Sequence, residues 1–197
     1  MRNKLVVGLV AVGVVGFAAA CGDSDSTPTT VVDAPTTSAE ATTTAAAPPA
    51  APSDAEPKRA EASGDAALTV TDIRIGHHDG FDRVVYELGG TGTPGWVVEY
   101  TDAAVQDGSG AAIDVAGQSV LEVRITGSAY PFDSGVEPYS GPDPATDPSA
   151  PGIAGVYRAT VFEGITQSFI GVNGDRPAFA VSTQSGPTRL VIDIATS

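Results

Sequence analysis

Cysteine, basic residues and aromatics are all scarce in this sequence, and each shortage removes a class of protein. A single cysteine in 197 residues makes an intramolecular disulfide impossible. Only ten Lys and Arg stand against 24 Asp and Glu, for a formal net charge of −14. A nucleic-acid partner is excluded, because phosphate binding needs a basic footprint. An anionic membrane or wall polymer also repels the chain as a whole. The sequence has no Gly-x-Ser-x-Gly elbow of a serine hydrolase, no EF-hand spacing of carboxylates and no evident helical period.

What is present divides the chain in three. Residues 1–20 begin with Arg2 and Lys4, run through an apolar segment from Leu5 to Phe17, and end in Ala18, Ala19 and Ala20. This is the pattern of a secretory signal peptide, and it falls short of the roughly 20 apolar residues a membrane-spanning helix needs. Cys21 follows directly. Three alanines, Cys21, Gly22 and Asp23 resemble a bacterial lipobox, although Ala18 stands where a leucine is usual, so Cys21 is the expected lipidation site and the protein an expected lipoprotein. Stable anchoring would take two or more acyl chains. Residues 21–66 are Thr, Ala, Pro, Ser and acid with almost nothing large and apolar. Such a segment does not fold by itself, and as a flexible coil its ends lie about 35–40 Å apart. The expectation is a disordered linker, open to O-glycosylation, that carries a folded part away from the extracytoplasmic face of the cell membrane.

Residues 67–197 suffice for one domain. They hold sixteen Asp and Glu against six Arg and no Lys, a net charge of −10. The stretch from Asp72 to Leu88 reads as a β-hairpin: Ile73 and Ile75 alternate with Arg74, Gly76, Asp79 and Gly80 supply the turn, and Val84, Tyr86 and Leu88 resume a period of two. Leu68 and Val70 are out of phase with Ile73 and Ile75, which predicts a bulge near Asp72. Further strands are expected over Trp96–Tyr100, Val120–Thr126, Val156–Phe162, Ile165–Val172, Ala178–Thr183 and Thr188–Ile194. The last of these repeats the phrase of the hairpin, with Arg189 and Asp193 matching Arg83 and Glu87. Short, regularly spaced strands of this kind predict an all-β sandwich of mostly antiparallel strands. Residues 127–155, with six prolines and the aromatics Tyr130, Phe132 and Tyr139, break the rhythm. A loop this long is either disordered or functional. The aromatics point to packing over the sandwich, where the loop would form the wall of a groove.

These phrases resemble the AMIN-like domain of actinobacterial lipoproteins. Asp72 to Leu88 looks like the family's opening hairpin, Gly92 to Tyr100 like its next strand, and Arg189 to Ile194 like its closing strand. The resemblance implies a β-sandwich without catalytic machinery, in a group whose AMIN relatives bind peptidoglycan and position an attached enzyme. The Pro-rich loop has no counterpart in the shorter AMIN domains.

The candidate ligand-binding residues are Arg83, Trp96, Tyr100, Tyr130, Tyr139 and Arg189. The aromatics, with Phe132, can stack on sugar rings, and the two arginines can hold stem-peptide carboxylates in bidentate fashion. Each has a structural alternative. Trp96 and Tyr100 suit the inward face of a strand, and Arg83 and Arg189 suit cross-strand pairing with Asp193 or Glu87. His77 and His78 are the only histidines. On an extended chain they point opposite ways, and no third ligand is signalled, so a solvated turn is expected rather than a metal site. Asp79 with Asp82, and Asp143 with Asp147, offer carboxylates to calcium without EF-hand spacing. The expected protein is a non-catalytic, lipid-anchored binding or scaffolding module of the cell envelope, without a cofactor, that meets cell-wall glycan or an envelope protein. The competing reading is an envelope hydrolase or metal-dependent enzyme with a site near His77 and His78.

Overall fold

The period-two alternation of the sequence becomes two antiparallel sheets in a computed structural model of the chain, in which residues 51–196 are described. The expected signal peptide, Cys21 and most of the linker lie outside the described residues. The described residues form nine strands: β1 Lys58–Ala60, β2 Ala67–His78, β3 Phe81–Thr91, β4 Gly95–Thr101, β5 Ser119–Thr126, β6 Ile153–Phe162, β7 Ile165–Val172, β8 Phe179–Gln184 and β9 Thr188–Ala195. One sheet runs β1-β4-β5-β7-β6 and the other β2-β3-β9-β8. A single helical turn, α1 (Pro131–Ser134), interrupts the long loop.

The all-β reading holds, and so does the bulge: the β2–β3 register shifts between Val70 and Asp72. That slip lets Leu68, Val70 and Ile73 all reach the core despite their odd and even numbers. The repeated phrases lie side by side. β3 and β9 are antiparallel neighbours with Arg83 opposite Asp193 and Glu87 opposite Arg189. An arginine and an acid four residues apart on one face of each strand meet their opposites when two such strands run in opposite directions.

The two sheets bury their inner faces against each other. Leu68, Val84, Tyr86, Leu88, Leu190, Ile192 and Phe179 come from one sheet, and Trp96, Val98, Leu121, Val123, Ile125, Val156 and Ile170 from the other. One polar link crosses this core. The buried hydroxyls of Tyr86 and Ser168 lie 2.9 Å apart, and Ser168 Oγ donates to the Tyr157 carbonyl at 2.7 Å. Each polar atom is thereby satisfied, as burial requires.

The lateral openings of the sandwich are closed by two segments that lie outside the regular rhythm of the strands. On one side the chain before β2 is not all linker. β1 pairs with the edge strand β4, and Asp54 bridges to Phe179 at the start of β8, so ordered backbone begins well before Ala67. The seal on the opposite side is the Pro-rich loop: Ser128 bridges to Leu68, Tyr139 N–H donates to the Val70 carbonyl on β2, and Ala145 bridges to Val156 on β6. Exposed edges invite pairing with other chains. Here each lateral opening is spanned by a segment that pairs with both sheets.

Candidate functional site

At the end of the sandwich that carries the β2–β3 turn, the β7–β8 connection crosses from one sheet to the other through Asn173, Gly174, Asp175, Arg176 and Pro177. Two clefts flank this crossing. One, of about 460 Å³, is lined by Pro151, Gly152, Asn173, Gly174, Pro177 and Thr196 among others. Its wall at Pro151 and Gly152 is the far end of the Pro-rich loop. The other, of about 290 Å³, is lined by Thr101, Asp102, Gln118, Ser119, Val120, Asp175 and Arg176. This second cleft is almost wholly polar in its side chains.

Arg176 is the residue around which the second cleft is built. Its φ is 51°, in the left-handed region that a side chain with a Cβ seldom occupies. Such a conformation persists only where its surroundings enforce it, and here they do. Ser119 Oγ donates to the Gly174 carbonyl at 2.7 Å and accepts the Arg176 N–H at 3.3 Å, while the Tyr100 hydroxyl donates to the Pro177 carbonyl at 2.8 Å. The Arg176 side chain so presented is 48% exposed, and that of its ion-pair partner Asp102 is 92% exposed. A pair this open to water is held weakly.

Three other arginines are committed to acids, while Arg59 on β1 is exposed. Arg83 grips both oxygens of the buried Asp193, at 2.6 and 2.8 Å, and that hydrogen bonding raises its pKa above the ordinary value while burial works against it. Arg124 is shared between Asp107 at 2.7 Å and Glu122 at 3.1 Å. Arg74 is tied to Glu87 at 2.7 Å and Asp72 at 3.1 Å. Arg189 donates to Gln184 at 3.0 Å, and its buried Nε has no partner among the described residues. Arg176 lines a cleft, and the ion pair it would give up to a ligand is a surface one.

The residues singled out from sequence are not gathered in one place. Trp96 is a core side chain whose Nε1 has no partner among the described residues. Tyr139 is buried, with its hydroxyl donating to the Pro142 carbonyl at 3.0 Å. Tyr100 is half-buried at the rim of the core and stacks edge-on against Phe179. Burial pushes its phenol pKa up to about 12, with Arg176 opposing. Tyr130 is exposed on the Pro-rich loop. Arg83 takes the cross-strand pairing with Asp193 that its position in the repeat suggests, whereas Arg189 sits opposite Glu87 but donates to Gln184, and Glu87 is taken by Arg74.

The histidines diverge. His77 Nδ1 lies 2.6 Å from the fully buried carboxylate of Asp82, whose other oxygen accepts the Gly152 N–H at 2.7 Å. His78 stacks on the Phe81 ring with centroids 4.9 Å apart. Asp82 is thus a structural staple between the hairpin and the Pro-rich loop. Among the described residues no three His, Cys, Asp or Glu side chains come together as a metal site. Asp147, the other calcium candidate, accepts the N–H and hydroxyl of Ser149 at 2.8 and 2.7 Å.

Arg176 escapes the sequence reading because its alternation-free loop gives no period to read. The only local signal is its place between Asp175 and Pro177 in a turn-forming cluster, which says nothing of exposure. Compared with known families, residues 68–196 match the AMIN-like domain. No curated protein and no solved structure matches the chain.

Proposed function

The chain belongs to the AMIN-like domain family, and from that premise we propose that it is a non-catalytic, lipid-anchored module that binds peptidoglycan through the Arg176 cleft. AMIN-like domains are generally peptidoglycan-binding modules of the cell envelope. The observation that carries the proposal is the strained, half-exposed Arg176 presented beside the hydroxyls and amide of Thr101, Ser119 and Gln118. A guanidinium binds a carboxylate through two parallel hydrogen bonds, and the Asp102 pair it must give up is a surface pair worth about 0–1 kcal/mol. Asp102 and Asp175, on either side, suit an ammonium. The peptide stem of peptidoglycan carries both charges, and its sugars bring the hydroxyls that the polar lining accepts.

Anchoring through Cys21 is part of the same proposal. A domain of net charge −10 is repelled by an anionic membrane surface, and a spacer between Cys21 and the sandwich keeps it in reach of the wall. Replacing Cys21 with Ala is expected to move the protein from the membrane fraction to the soluble one and to remove the acyl mass from the N-terminal peptide. Unchanged fractionation and mass would contradict the anchor. For the cleft, the test is co-sedimentation of the full chain with purified peptidoglycan over a range of salt. Arg176→Ala is expected to weaken retention about tenfold or more, and Arg176→Lys to recover part of it, since the charge remains but the fork is lost. Retention that is equal in all three proteins would reject the cleft.

A further inference from the structure

From the exposed ring pair Tyr130–Phe132 we infer a second subsite, one that stacks on the flat face of a neutral hexosamine ring in the glycan strand. The inference rests on the peptidoglycan reading but on none of the residues of the Arg176 cleft. Phe132 is 80% exposed and Tyr130 40% exposed, the former an extreme for a large apolar side chain in a domain otherwise well buried. Their rings are parallel within 5° with centroids 5.3 Å apart. They form a flat step whose outer face is Phe132.

The step is held rigidly. Pro131 opens α1, and the left-handed Gly135 closes it with its N–H donating to the Pro131 carbonyl at 2.9 Å. Thr69 on β2 fixes the turn to the sandwich: its hydroxyl lies 2.6 Å from Ser134 Oγ and donates to the Ala129 carbonyl at 3.1 Å. Ala129 N–H in turn donates to the Leu68 carbonyl at 2.8 Å. The rings are therefore displayed on a fixed backbone, and ordering them on binding costs little.

The surroundings select the occupant. The patch is two rings wide, far smaller than the apolar area a stable protein interface buries, and the exposed acids Asp133 and Glu137 lie one and five residues beyond Phe132 in the chain. Those acids disfavour an anionic lipid surface and also a ligand carboxylate. A pyranose with one apolar C–H face and a rim of hydroxyl and acetamido groups matches both features: the face lies on Phe132, and the rim meets carboxylate acceptors. The site is thus for the uncharged sugar, while Arg176 serves the charged stem.

The probe is the β-1,4-linked N-acetylglucosamine tetramer, titrated calorimetrically into the full chain. Wild type is expected to bind it, Phe132→Ala to lose about tenfold or more in affinity, and Phe132→Trp to keep or improve it. Because Phe132 is on the surface, these variants are expected to share the wild-type melting temperature. No heat with wild type, or equal binding by Phe132→Ala, would overturn the subsite. So would Phe132-dependent partition onto phosphatidylcholine vesicles or Phe132-dependent self-association without tetramer binding. Tetramer binding that needs Phe132, alongside peptidoglycan retention indifferent to Arg176, would keep this subsite and reject the cleft. The reverse pattern would do the opposite.

Discussion

The clearest contrast at the scale of single residues is between two arginines. Arg83 is bidentate to Asp193 because antiparallel pairing sets them opposite each other, and that commitment makes it a poor ligand holder. Arg176 has only the exposed Asp102. Titration of the phenols gives a separate test of packing. Burial raises the pKa of Tyr86, with the Ser168 hydrogen bond opposing, and that of Tyr100 to about 12. A phenol with a folded-state pKa above the unfolded value of about 10 contributes stability that is whole below pH 10 and is lost as the pH rises further, because the unfolded chain releases the proton first. Denaturant midpoints are therefore expected to be flat from pH 8 to 9.5 and to fall steeply between pH 10 and 12. Tyr86→Phe is expected to cost about 1 kcal/mol near neutrality and to make that fall shallower. Asp82→Ala is expected to cost about 3 kcal/mol by leaving the Gly152 N–H unpaired and detaching His77, read by chemical denaturation.

At the scale of elements, the segment from Asp102 to Gln118 has no extended strand, yet it covers the outer face of the β5–β7 pair. Gln167 organises it: Nε2 donates to the Val105 carbonyl at 2.9 Å and to Glu122 at 2.7 Å, and Oε1 accepts the Asp107 N–H at 2.9 Å. The fit is closest at Gly171, where an added Cβ would lie 1.9 Å from the Ala116 carbonyl oxygen. Gly171→Ala is expected to lift this cover and cost about 1–3 kcal/mol, with hydrogen exchange speeding up over residues 104–118 before the strands open. A melting curve identical to wild type would show that the cover does not press on β7. The strands themselves were legible because each has a buried and a wet face, so that Leu121, Val123 and Ile125 alternate visibly with Glu122 and Arg124. β1 was not, since Lys58, Arg59 and Ala60 leave no apolar period.

Across the whole molecule, the same distinction explains what the sequence could tell about the site. The fold rests on side-chain burial, which alternation records, and the family resemblance rests on strand phrases that the match over residues 68–196 covers. The cleft rests on loop backbone: a left-handed Arg176, a Ser119 hydroxyl between Gly174 and Arg176, and a wall contributed by residues distant in the chain. Trp96 and Tyr139, chosen for their chemistry, are spent on the core, because a large ring in a strand or under a loop buries more surface than a ligand would offer it. Phe132 was visible as an aromatic, but only its exposure sets it apart from Tyr139 seven residues on.

In the proposed function the crossing between the sheets, and not the histidine turn, receives the ligand. Amide chemical shifts of the labelled full chain, followed as a disaccharide–stem-peptide fragment of peptidoglycan is added, test it most directly. Saturable shifts are expected at Ser119, Gly174, Asp175 and Arg176, abolished by Arg176→Ala, with His77, His78 and Asp82 unmoved. Shifts confined to the turn at His77 and His78, or none at any concentration, would contradict it.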